Sequence, residues 1–391
     1  MQSSVSTDII VIGAGIAGAS AAAGISLNQR VILLEMESQP GYHATGRSAA
    51  LFSEIYGNSA IRALSTASRP YFLDDANWSD GVPLLGPRGS MIIAREDQMA
   101  QLDAMAVSIN SDRARLISAA EACNLCPALR ANYVAQALHE PDACDVDVSA
   151  LHSVYLRRLK QRGGVTMLAH KVTRIEQRGG MWYIDTGEAC FSAPVLVNAA
   201  GAWGDEIAQL ASVQPVGLQP MRRTAFTVDP PQGLVPDSWP TVIDVEEQFY
   251  FKPEGGRVLI SPADETPQPP SDVHPEEIDI AIGVDRVEAA AKLDIRHIRH
   301  RWAGLRTFVS DRTPVVGFDD KASGFFWLVG QGGYGVQTAP ALAQIAAMLI
   351  EGQALSGYVE DAGIDVATLS PERLNRISAQ EQTQVLQSRN V

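Results

Sequence analysis

Cysteine is scarce in this chain, with four residues among 391: Cys123, Cys126, Cys144 and Cys190. Four are too few for a disulfide framework, and the Cys123/Cys126 pair has no second pair to complete a zinc site, so they read as reduced cytosolic thiols. Positive charge is also in deficit, at 31 Lys and Arg against 45 Asp and Glu. The resulting net charge of −14 works against nucleic acid or anionic lipid as a partner, because both would be repelled at long range. No apolar run reaches the roughly 18 residues a bilayer span requires, and the opening MQSSVST lacks the basic stretch of a signal peptide. A cytoplasmic protein without a transmembrane segment is expected. The seven histidines show no metal-ligand spacing, so no metal is expected. Repeats and low-complexity tracts are missing as well. What remains is 46% apolar residues, 32 glycines and 22 prolines in a chain too long for one ordinary core. That balance fits an α/β enzyme of two domains, or one domain with a large insertion.

Three stretches carry strand–turn–helix order. The first is DIIVIG, a helix of small residues, then RVILLE, a βαβ unit. The second opens with Ser149 as a helix N-cap, runs through LHSVYLRRLKQ, stops at Gly163-Gly164 and re-enters strands at VTMLA and PVLVNAAG. The third is FFWLV, a glycine-rich turn and a long apolar helix. Between them, RTAFTVD, QFYFKP and RVLISPA alternate in the manner of an antiparallel sheet covering a pocket. The expected fold is α/β: a Rossmann-like FAD-binding domain (1–90, 141–214 and 321–391) plus a substrate domain with a mainly antiparallel β-sheet (91–140 and 215–320).

Gly13, Gly15 and Gly18 follow a strand and open a helix, with Ile16 and Ala17 between the last two. In this pattern the first glycine makes the tight turn, the second lets backbone approach a pyrophosphate, and the third allows close helix–strand packing. Glu35, ending the second strand, is placed to accept the hydroxyls of an adenosine ribose and to repel a 2′-phosphate; otherwise it is a solvated strand-end charge. Later segments favour FAD over NAD. Gly41 to Ala50, including Arg47, Ser48 and Ala49, is a run of small and hydrogen-bonding residues able to thread beneath a flavin. The strand VLVN ends in Ala199, Ala200, Gly201, Ala202 and Trp203, which let backbone come close. Gly330, Gly332, Gly333, Tyr334 and Gly335 precede a helix whose N-terminus would direct N–H groups at the electron-rich edge of a reduced flavin.

With GAGIAGAS, QPGYH, TGRSAA, LVNAAGAW, RRTAF, FYFKP, WAGLR and QGGYG together, the chain resembles the D-amino-acid oxidase and glycine oxidase superfamily of flavoproteins, and within it the bacterial D-arginine dehydrogenases most closely. The resemblance implies non-covalent FAD, with Val172 and Gln337 added to the cofactor contacts, and a hydride passing from the substrate Cα to the flavin as amine becomes imine. It places Arg223 and Arg306 on the substrate carboxylate, Tyr56 and Tyr250 as pocket walls, and the Gly333 carbonyl and Gln337 close to the substrate. The chemistry agrees for the arginines, since a guanidinium grips a carboxylate through two parallel N–H bonds. Each also has a plainer reading as a salt bridge to a buried acid, and each tyrosine one as ordinary core.

The resemblance breaks at Ser90, where those dehydrogenases carry a glutamate that reads a distal guanidinium, and at Leu51 and Phe52 in the adjoining loop with Ser53. A cationic side chain loses its partner there, which predicts smaller or apolar D-amino acids, or N-substituted glycines, as substrates. Competing readings are an oxidase or dehydrogenase of secondary amines such as sarcosine or proline, a 2-hydroxy-acid dehydrogenase, and a flavin-binding subunit without turnover. The electron acceptor is open between a quinone and oxygen.

Overall fold

The computed structural model describes residues 5–78, 81–109 and 112–374. Residues 1–4 and 375–391, which the sequence assigns to the cofactor domain, lie outside the described residues. A six-stranded sheet runs in the order Val165–Met167, Val31–Leu34, Ile9–Ile12, Val195–Asn198, Phe325–Val329 and Val315–Phe318. All neighbours are parallel except the last pair. Ile9–Ile12, Val31–Leu34 and Phe325–Val329 are buried at every residue, as sheets covered on both faces require. On one face lie helices Ile16–Ile25 and Gly335–Ile350, joined in one apolar cluster with Val11, Leu33, Val197 and Phe326. The first of these helices has no apolar stripe because it is buried nearly all round, and its alanines and glycines let the second helix approach closely. A Cβ at Gly24 would already sit 3.4 Å from the Ala343 carbonyl oxygen.

The second large sheet has nine strands. Its spine is the antiparallel pair Gln219–Val228 and Ile298–Phe308, extended by Arg257–Ser261, Tyr250–Glu254 and Thr241–Asp244. Thr241–Asp244 then pairs in parallel with Ser90–Ala94, the one parallel step recorded for this sheet, and Gln136–Glu140 continues antiparallel. Phe226, Trp239, Phe249, Phe251 and Ile260 form its core with helix Glu277–Ala290. The antiparallel sheet expected from RTAFTVD, QFYFKP and RVLISPA is therefore present. The cofactor domain and the mainly antiparallel second sheet together make the α/β fold anticipated from sequence.

Two local expectations shift. Helix Val148–Gln161 is capped by Asp147, not Ser149: the Asp147 carboxylate accepts from the Ala150 N–H, and Ser149 lies inside the first turn. Residues 174–193 build three strands of a separate four-stranded sheet with Val5–Ser6, whose short alternating runs were not singled out. Among the described residues no helix is long and apolar enough to cross a membrane.

Candidate active site

One cavity runs from the end of the parallel sheet to the nine-stranded sheet. At the first end, Gly13, Gly15, Ile16 and Ala17 line it. Gly13 holds φ +101°, and a Cβ there would meet the Ala199 carbonyl oxygen at 2.5 Å; a Cβ at Gly18 would meet the Gly13 carbonyl oxygen at 1.8 Å. Only glycine permits this turn. The Ile16 N–H is taken by Thr45 Oγ1 at 2.9 Å, and a ring nitrogen of His152 lies 2.9 Å from the Ala14 carbonyl, so the turn is braced from outside. Glu35 lines the cavity with one oxygen accepting from the Ala14 N–H at 2.7 Å and the other from the Glu37 N–H at 3.0 Å. Each oxygen keeps a further lone pair for a ribose hydroxyl. Val172 and Leu34 line the same end, and Ala200, Gly201 and Trp203 continue the wall.

Ser48 and Ala49 also line the cavity, as does Arg47, but the Arg47 guanidinium is committed to the protein. It donates to the Val273 and Ala303 carbonyls and to Asp272, lashing this segment to strand Ile298–Phe308 and the loop at 272–273. The Ala49 carbonyl accepts from buried Lys252, 2.9 Å away, which is itself paired with Asp145 at 2.7 Å. Ala50 carries φ +58° and Gly330 φ +77°; both shape turns and neither lines the cavity. Gly332, Gly333 and Gly335 do. Gly335 opens the helix Gly335–Ile350, whose first turn holds no acidic residue, so its N–H groups and dipole present positive potential.

At the far end Arg306 dominates. A Cβ at Gly333 would strike its guanidinium at 2.7 Å, so glycine at 333 is what lets this cation lie against the backbone. Arg306 sits deep in the molecule, and the solvent it touches is that of the cavity. It has no ion pair among the described residues, and Tyr56 lies beside it. Burial works against its charge, but Tyr250, Tyr56 and Tyr334, with Glu247 beyond them, outweigh that and hold its pKa above the ordinary value. Arg223 is different. Register pairs Met221 with Arg306 and Arg223 with Gly304, so the two arginines share one sheet face as diagonal neighbours. Yet Arg223 already donates to the Asp264 carbonyl at 2.8 Å and to Glu265 at 3.0 Å. Tyr250 lines the cavity beside them.

Other sequence expectations are not met at this cavity. Tyr56 and Tyr334, with ring centroids 5.1 Å apart, form a wall whose far side faces a second cavity bounded by Ile92, Ile243, Val245 and Glu247. Burial raises the pKa of both tyrosines, so they stay neutral donors. Gln337 lines neither cavity: its side chain is spent on the Ser53 N–H and carbonyl and on Ser65 Oγ. Ser53 and Ser90 are likewise interior, because Ser90 lies opposite Glu140 in the sheet register and both serine hydroxyls turn to that carboxylate. Leu51 packs on the cluster containing Ile92, Ile243 and Tyr250. Thr45, His152, Lys252 and Glu140 were not singled out from sequence. Thr45 and Lys252 stood inside motifs already noted, whereas His152 and Glu140 carried no local signal.

A braced glycine turn, a carboxylate at the second strand end and a half-buried cation at the opposite extreme of one cavity define a dinucleotide-dependent oxidoreductase. The chain belongs to the FAD dependent oxidoreductase (DAO) family, whose model matches residues 8–349. It is 26% identical over 214 residues to L-2-hydroxyglutarate dehydrogenase of Indibacter alkaliphilus, spanning about half of each chain (52% and 52%). Its fold matches glycine oxidase from Geobacillus kaustophilus at TM-score 0.81 and 20% identity, covering 94% of this chain and 98% of that one. It also matches L-proline dehydrogenase from P. horikoshii at TM-score 0.82 and 19% identity, covering 96% and 99%. FAD is the cofactor. The residues present fit it: Gly13 and Gly15 leave the turn open, Glu35 keeps acceptors for the ribose, and no side chain from the Gly332–Gly335 turn fills the space above it.

Proposed function

We propose that the protein is a D-amino-acid dehydrogenase that deaminates small or apolar D-amino acids to 2-oxo acids and does not select arginine. The observation that carries this reading is Arg306, a cation facing the cavity with no ion pair among the described residues. Such a group is costly to keep unless a ligand anion completes it, and a planar guanidinium matches a carboxylate in charge and shape. Arg223 serves as the second, weaker donor through the part of its fork that Glu265 leaves open. Tyr250 walls the substrate, and Tyr56, beside Arg306 at the boundary with the second cavity, closes that end of the pocket. When bound, FAD supplies the oxidant, accepting the hydride that leaves the α-carbon as amine becomes imine.

The protein's own ionisable groups favour an amine over an alcohol. A 2-hydroxy acid needs a base beside its hydroxyl. In the cavity, His43 is 2.9 Å from Glu37, and the His170 backbone N–H donates to the Glu35 carbonyl while its ring lies 2.7 Å from the Leu168 carbonyl, so the histidines gather at the nucleotide end. An amine bound neutral brings its own lone pair. Secondary amines such as sarcosine or proline use the same carboxylate clamp and remain the alternative. Selectivity against arginine rests on the motif comparison at Ser90, whose hydroxyl is turned to Glu140 inside the sheet and which places no acid on the cavity wall. The likeness to D-arginine dehydrogenases, the D-preference, the cytoplasmic location and a quinone or oxygen as acceptor are part of the same proposal and rest on the motifs.

The test is loss of the flavin's visible absorbance without air as D- and L-amino acids, sarcosine, D-proline and 2-hydroxy acids are added in turn. D-leucine and D-alanine are expected to bleach the flavin faster than D-arginine, and slow colour return in air marks a dehydrogenase. Bleaching by 2-hydroxy acids alone would overturn the proposal.

A further inference from the structure

The segment that leads to Tyr56 is held by a buried polar clamp. Ser53 and Glu54 follow strand Leu51–Phe52 and are 1% and 4% exposed. Glu140, 2% exposed on the edge of Gln136–Glu140, takes the Ser53 hydroxyl at 2.6 Å and the Ser90 hydroxyl at 3.2 Å on one oxygen, and the Glu54 N–H at 2.8 Å on the other. From the opposite side Gln337, in helix Gly335–Ile350, accepts from the Ser53 N–H at 3.2 Å and donates to the Ser53 carbonyl at 3.1 Å. The peptide at Ser53 is thereby gripped by one side chain from the substrate sheet and one from the helix that opens on the flavin. Two residues beyond Glu54, Tyr56 meets Arg306 and Tyr334.

A buried carboxyl without a cation partner is an expensive way to fill space, since an apolar pair of the same volume would be neutral or better. Glu140 has no ion pair recorded among the described residues, and burial pushes its pKa up despite the donors around it. The compensation lies in what an acceptor-only group can do that an apolar one cannot: fix a hydroxyl, an N–H and a second hydroxyl in one geometry. We infer that Glu140 is a positioning residue, which with Gln337 sets the Ser53–Glu54 peptide so that Tyr56 closes on the substrate bound at Arg306. The inference rests on the carboxylate-binding reading of Arg306 for its kinetic consequence, not for the clamp itself.

The experiment uses the FAD-loaded Glu140→Ala, Glu140→Gln and Ser53→Ala proteins, with D-leucine as the probe substrate. Amide exchange is followed in 51–57 and in 9–25, together with flavin content, kcat and KM. In Glu140→Ala, faster exchange is expected in 51–57 but not in 9–25, with flavin content retained, KM for D-leucine raised about tenfold and kcat within about twofold. Glu140→Gln, which still accepts the Glu54 N–H, is expected to recover most of the loss, and Ser53→Ala to show a smaller rise in KM. Unchanged exchange in 51–57, or looser exchange with KM unmoved, would overturn the inference; so would a fall in flavin content and kcat together, which marks a general structural role. If D-leucine fails to reduce the wild-type flavin, the substrate proposal fails, while the exchange data still decide whether Glu140 holds the segment.

Discussion

At the nucleotide end of the cavity one short stretch of backbone and a single carboxylate set the geometry, whereas at the substrate end three side chains and a glycine are brought from four separate segments. The first end is built on a single βαβ unit in which Gly13 at φ +101° and Gly18 remove Cβ atoms, with Thr45 and His152 bracing the turn from outside it. At the second, Arg306 from Ile298–Phe308, Tyr250 from a neighbouring hairpin, Tyr56 from the clamped segment and Gly333 from the third glycine turn meet only when both sheets are docked. A backbone site fails all at once when its geometry is lost. A side-chain site can be dismantled one donor at a time, with costs that rank the donors.

That contrast sets the order of effects. Gly13→Ala forces a Cβ into the Ala199 carbonyl from a conformation alanine resists, so the purified protein should contain little or no flavin, read directly from its visible spectrum. Arg306→Ala should retain flavin yet lose two charge-assisted hydrogen bonds to substrate, lowering kcat/KM by about 3 kcal/mol or more, on the order of a hundredfold. Arg306→Lys should fall between, because it keeps charge without the fork. Arg223→Ala should cost about tenfold, less than Arg306→Ala, since Glu265 and the Asp264 carbonyl already occupy much of its guanidinium. Equal losses at the two arginines would show that the Glu265 pair yields when substrate binds.

The smallest effect is one of pH at the nucleotide end. Burial holds the His152 imidazole below its ordinary pKa, against the opposing influence of the Ala14 carbonyl. Below pH about 6.5 the unfolded chain therefore binds a proton that the folded chain resists, and this contribution to stability declines as pH falls through that range. His152→Gln should flatten the acid limb of thermal stability measured with FAD bound. An unchanged limb would assign that loss to other groups.

The same contrast explains what could be read in the sequence. The nucleotide end is written locally: the glycines, Glu35 and the strand patterns lie within one short stretch, each with a single physical reason. Arg306, Arg223 and Tyr250 were legible only because their motifs matched a family, and the sheet register then gave Arg223 a partner, Glu265, that no spacing announces. Gln337 and Ser90 misled for a related reason. A polar residue near a site in sequence can turn away when a buried acceptor claims it, and Glu140, at the end of QALHE, gives no hint that it gathers Ser53 and Ser90. The Asp147 cap was missed because a serine two residues later is an equally good capping residue in isolation.

The account depends on Arg306 being completed by a substrate carboxylate. The most direct test compares anaerobic flavin reduction by D-leucine and by D-leucinamide, which keeps the α-amine and side chain but has no carboxylate. Rapid bleaching by D-leucine with little by the amide, the difference collapsing in Arg306→Ala, is the predicted result. Equal bleaching by both compounds in the wild-type protein would contradict it.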